Sequence, residues 1–212
     1  MNETIFKNLQ GAFVDRDTLR SAMFALGDPS TLELPLADQV EQAILVMKHW
    51  RKFMDRDTRF KTPNPKRAVQ YLFTEAAEIL DAYIKATSND LRNRPEPASI
   101  QGEYGDTLAM AITALLGELI DDVSLYEPLT FLLPQVSFRD PTSIYDEHMI
   151  NNIGIYAGEC LKRIETEHPY WTGSVVWIIA AIHTVLKDRV WIEYLNTLER
   201  WEQRAIKSHA LT

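Results

Sequence analysis

Long runs keep apolar residues at helical spacing, and no run alternates apolar and polar residues over a convincing length. This constrains the fold class before anything else does. From residue 36 to about 57 the stripe is Val40, Ala43, Ile44, Met47 and Trp50. Pro65 suits the first turn of the next helix, which runs to about Thr87. It is expected to bury Val69, Leu72, Phe73, Ala76, Leu80, Tyr83 and Ile84. Ser99 reads as the N-cap of a further helix to about Asp122, with Leu108, Ala111, Ile112, Leu115 and Leu119 as its stripe. One or two short helices precede, over residues 3–26, closed by Gly27-Asp28-Pro29. Three more follow, over about 143–167, 171–187 and 189–208, with Pro169 ending the first. Composition agrees: Leu and Ala number 42 against 10 Val, and Gly and Pro only 18, a bias towards helices. The expected fold is an all-α helical bundle. Residues 127–141, with Pro134 and Pro141, are the best boundary. Residues 1–126 then form one helical region, and 127–212 an additional helical segment, on the same bundle or at an oligomer interface.

The charge is unevenly placed. The net charge is −8, and the stretch from Glu75 to Glu127 holds eleven acids against three bases, so it carries all of it. An acidic chain has no electrostatic drive towards nucleic-acid phosphates or anionic membranes. Residues 175–186 form the longest apolar run, interrupted by His183 and Thr184, and fall short of the roughly 20 residues of a membrane span. The N-terminus lacks a signal pattern. A cytoplasmic protein that binds neither nucleic acid nor membrane is expected. The single cysteine, Cys160, excludes an intrachain disulfide and a Cys-based zinc site, and reads as a buried small residue.

Two carboxylate pairs stand within the acidic stretch. Glu75 and Glu78 form E-x-x-E; Glu103 and Asp106 form E-x-x-D after 24 intervening residues. Positions i and i+3 share a helix face, so two helices packed antiparallel can bring four carboxylates to one spot. Four such groups cannot all stay ionised at close range without compensation. Divalent cations with a preference for oxygen supply it, and Mg²⁺ also binds substrate phosphates. A solvated acidic face has the same spacing: by helical periodicity Glu75 and Glu78 fall away from the expected Leu72–Leu80 stripe, and Glu103 and Asp106 away from Leu108.

The run YLFTEAAEILDAYIKAT, followed by QGEYGDTLAMAITALL, resembles the all-α nucleoside triphosphate pyrophosphatase superfamily, which includes the MazG-type enzymes and the dimeric dUTPases. The likeness covers about residues 36–125. It implies a MazG-like bundle with Mg²⁺ (Mn²⁺ is the alternative) held by Glu75, Glu78, Glu103 and Asp106. Glu75 and Glu78 would also be catalytic. The reaction implied is cleavage of a nucleoside triphosphate to the monophosphate and pyrophosphate, by a homodimer or homotetramer. Thr74 stands where the family often has the first of two adjacent glutamates, which opens the identity of the general base. Specificity for dUTP or dCTP is an alternative within the superfamily. A non-catalytic helical interaction module with an acidic surface is the alternative outside it.

Other candidates carry less. Trp50 could stack on a base, and Lys52, Lys61 and Lys85, with Lys66 and Arg67, could meet a triphosphate. Core packing and ordinary surface lysines look the same. Glu165 and His168 form one E-x-x-H, where di-iron bundles need two such pairs and two more glutamates. His183 reads as a core histidine with a hydrogen-bonded ring. No P-loop, dinucleotide fingerprint or Ser/His/Asp order is present.

Overall fold

The computed structural model describes residues 2–9, 14–58, 61, 63–88, 97–118, 138–168 and 170–210. They form α1 (Asn2–Leu9), α2 (Arg16–Leu26), α3 (Leu36–Thr58), α4 (Pro65–Thr87), α5 (Pro97–Glu118), α6 (Glu147–Glu165), α7 (Trp171–Leu186) and α8 (Val190–Ala210), with short 3₁₀ turns at Pro29–Glu33 and Lys187–Arg189. No strand occurs among the described residues. None of the described helices is long and apolar enough to cross a membrane.

The helix starts follow from local chemistry. Asp15 accepts from the Thr18 amide at 2.7 Å and caps α2. Asn64 does the same for Arg67 at 2.8 Å ahead of Pro65, whose fixed φ suits the first turn. Asp146 caps α6 through the Met149 amide and pairs with Arg139 at 2.8 Å. α5 begins at Pro97, so Ser99 lies inside the helix rather than at its cap. The C-terminal end expected for α5, including Leu119, lies outside the described residues, as does most of the expected boundary at 127–141.

α5 sits at the centre. From Thr107 to Leu116 every residue is buried, because α3, α4, α7 and α8 all pack against it. A helix apolar on all sides is stable only when enclosed in this way. α6 closes the bundle against α4 and α7. The helices of 147–210 therefore share one core with those of the first half. Buried polar links tie them together. Gln39 on α3 accepts from Trp191 Nε1 at 2.7 Å and lies 3.3 Å from His183 Nε2. The Tyr194 hydroxyl donates to the Ala43 carbonyl at 3.0 Å.

The core face of α4 differs from the expected stripe. Val69, Leu72 and Ala76 are buried, but Phe73, Leu80 and Ile84 are exposed and Tyr83 is half-buried. Ala68, Ile79 and Ala82 are buried in their place. The reason is the choice of neighbours: α4 packs on both α5 and α6, and the arc facing them mixes Val69, Leu72 and Ile79 with Ala68, Ala76 and Ala82, whose small side chains suit close packing. Glu75 lies three residues after Leu72, four before Ile79 and seven before Ala82, so it belongs to that inward arc and not to the opposite face.

Another close approach fixes α8 against α5. A Cβ on Gly105 would stand 2.7 Å from the Glu193 carbonyl oxygen and 2.8 Å from Thr197 Oγ1. Gly105→Ala is expected to cost about 1–3 kcal/mol through overpacking. Gly154, inside α6, has nothing within 4 Å of its would-be Cβ, so Gly154→Ala should gain about 0.5–1 kcal/mol from helix propensity alone. Urea unfolding of the two variants checks the pair, and opposite signs are the expected result.

Candidate metal centre

The E-x-x-E helix and the E-x-x-D helix bring their carboxylates together. One oxygen each from Glu75, Glu103 and Asp106 lies within 4.8 Å of the other two, and all three residues are half-buried. Glu75 interacts most strongly with Asp106, and Glu103 with Glu78. That crossed order is what antiparallel helices produce. Glu78 stands at the edge of the group: its residue is exposed, and its carboxyl shares a hydrogen bond with Glu103. Three of the four expected carboxylates thus form the compact group, with the fourth alongside.

Burial and crowding leave a clear electrostatic mark. Glu75 is pushed up to about 7, first by desolvation and then by the charges of Asp106, Glu78 and Glu103. Glu103 is also pushed up to about 7, again chiefly by desolvation and then by Glu78 and Asp106. Burial and crowding thus favour the protonated form of both carboxyls.

The residues that answer this charge come from α8. Arg200 Nη2 donates to Asp106 Oδ1 at 2.8 Å, to Thr197 Oγ1 at 2.9 Å and to the Gly102 carbonyl at 3.4 Å. Its charge also favours ionised Glu103, and Arg204, one turn further on, favours ionised Glu75. Sequence reasoning missed both arginines. Arg200 lies 94 residues from Asp106 along the chain, and the available signal was two arginines four residues apart on one helix.

The other candidates fall elsewhere. Lys85 reaches the edge of the site: it pairs with Asp81 at 2.5 Å, and its charge interacts with Glu103. Lys66 pairs with one oxygen of Glu165 at 2.9 Å and Gln70 donates to the other at 3.3 Å, so both are engaged. The Arg67 guanidinium lies over the Tyr71 ring. Lys52 and Lys61 are exposed, with no contact to the carboxylate group among those the structure gives. Trp50 is 2% exposed, packed against Trp201 with the Arg51 guanidinium beside both rings, so its faces are engaged in the core and not offered to a base. Cys160 is buried, and its thiol is pushed up to about 12 by that burial.

The donor set fits a hard divalent cation. It is made of carboxylate oxygens only, on two rigid helices. Adjacent ligands of an octahedral Mg²⁺ stand about 3 Å apart and opposite ones about 4.2 Å, so oxygens that lie within 4.8 Å of one another would draw together around an ion. No protein-family model, curated protein or solved structure matches the chain.

Stability in chelator should report the crowding. A carboxyl raised above its usual range favours the folded state when protonated, and that contribution is lost as pH rises towards the raised value. The melting temperature in EDTA is therefore expected to fall between about pH 5 and pH 8 from these two groups. Glu75→Gln should flatten the fall and melt higher than the wild type at pH 8. A profile identical in both proteins would contradict the assignment.

Proposed function

We propose that the protein is a Mg²⁺-dependent nucleotide pyrophosphohydrolase, which cleaves a nucleoside triphosphate to its monophosphate and pyrophosphate. One observation carries the reading. The two motifs that resemble those of the all-α pyrophosphatase superfamily meet in space, with Glu75, Glu103 and Asp106 within 4.8 Å of one another. The all-helical architecture is compatible with the MazG-like type.

The roles follow from position. Glu75, Glu103 and Asp106 would hold the cation, each delivered by a helix with little freedom to move. When bound, a divalent ion neutralises phosphate charge and makes a water more acidic. Glu78, exposed beside this group, would be the carboxylate placed to orient a water and accept a proton. Thr74 is turned to other work, since its hydroxyl donates to the Gln70 carbonyl at 3.2 Å. Arg204 acts on Glu75 and Lys85 on Glu103 from the edges of the site, and their positive charge would be available to a substrate's phosphates. Positioning and charge stabilisation, rather than covalent chemistry, would carry the rate.

Purified protein with Mg²⁺ should release monophosphate and pyrophosphate from at least one of the common NTPs and dNTPs. Asp106→Asn and Glu103→Gln should each lower turnover by about a hundredfold or more, while circular dichroism shows an unchanged helix content. Side-by-side assay of uracil, cytosine and purine nucleotides identifies the base preference. Absence of turnover with every nucleotide would favour the acidic interaction module instead.

A further inference from the structure

Arg200 is held by more than its ion pair. Its Nη2 has three acceptors, and two of them, Thr197 Oγ1 and the Gly102 carbonyl, belong to the scaffold. The third is Asp106 Oδ1. The contact at Gly105, where a Cβ would collide with α8, sets the height at which the guanidinium meets α5. Two of its three acceptors on α5 and α8 therefore do not depend on the carboxylates. Arg200 is also only partly open to water, with a side chain 35% exposed against 13% for Asp106.

A positive charge bonded to one carboxylate of a crowded group has two opposite effects. Without a divalent ion it offsets the repulsion among Glu75, Glu78, Glu103 and Asp106. With an ion present it stands one carboxylate away from a second cation and repels it. We propose that Arg200 is the built-in counter-cation of this site, stabilising the carboxylate group in the absence of a divalent ion and lowering the affinity for that ion. The proposal rests on the reading of Glu75, Glu103 and Asp106 as cation ligands. It makes Arg200 a positioning and tuning residue: it would keep the folded protein from depending on metal and keep the ion exchangeable. Arg204 acts in the same sense on Glu75, more weakly, since it is exposed and no hydrogen bond from its guanidinium is found among the described residues.

The test uses Mn²⁺ as the probe, with free ion counted by electron paramagnetic resonance, alongside melting temperatures in EDTA at pH 8. Arg200→Gln should melt several degrees below the wild type in EDTA yet bind Mn²⁺ about tenfold more tightly. Arg200→Lys, which keeps the charge, should stay within about threefold of the wild-type affinity. A merely structural arginine would lose stability and affinity together, so unchanged or weaker Mn²⁺ binding by folded Arg200→Gln overturns the proposal. If Arg200→Gln does not fold, Arg204→Gln decides: tightening of about two- to threefold supports the counter-charge account, and no change overturns it. Absence of Mn²⁺ binding by the wild type would remove the metal reading itself, and this proposal with it.

Discussion

A helix enclosed on every side can carry ionised groups only where its neighbours bring compensating charge, and α5 is such a helix. Its buried length from Thr107 to Leu116 organises the bundle, and α3, α4, α7 and α8 all pack against it. Glu103 and Asp106 sit just before that length, where the surroundings turn from apolar to polar. Everything distinctive about the site follows from this position. The carboxylates are too buried to be ordinary surface acids, and too close to Glu75 for all of them to ionise freely.

The neighbours answer in two ways. α4 approaches through an arc that mixes Val69, Leu72 and Ile79 with Ala68, Ala76 and Ala82, and that approach carries Glu75 inward with the core. α8 approaches at Gly105 and delivers Arg200 to Asp106. One contact adds negative charge to the group and the other offsets part of it. The packing of the bundle and the electrostatics of the site are thus a single arrangement, and the glycine on α5 serves both.

Much of this was legible in the sequence. The bounds of α4 follow from Pro65 and the polar stretch after Thr87, and the spacing of the two carboxylate pairs pointed to their meeting. The facing of α4 was not legible, because a hydrophobicity stripe ranks Phe73, Leu80 and Ile84 above alanines. Close helix packing selects the alanines instead. Nor were Arg200 and Arg204 legible as site residues, since nothing local to α8 distinguishes an arginine facing a distant carboxylate from one facing water. Trp50 shows the converse: an aromatic residue near a candidate site is more often core, and this one packs on Trp201.

The central proposal is that a divalent cation held by Glu75, Glu103 and Asp106 takes the place of the protons that burial and crowding favour on Glu75 and Glu103. Calorimetric titration of Mn²⁺ at pH 7, in two buffers of different ionisation enthalpy, measures that exchange directly. Saturable binding that releases protons at pH 7, with the release vanishing by about pH 9, is the predicted result. Binding without proton release at pH 7, or no saturable binding at either pH, would contradict the account.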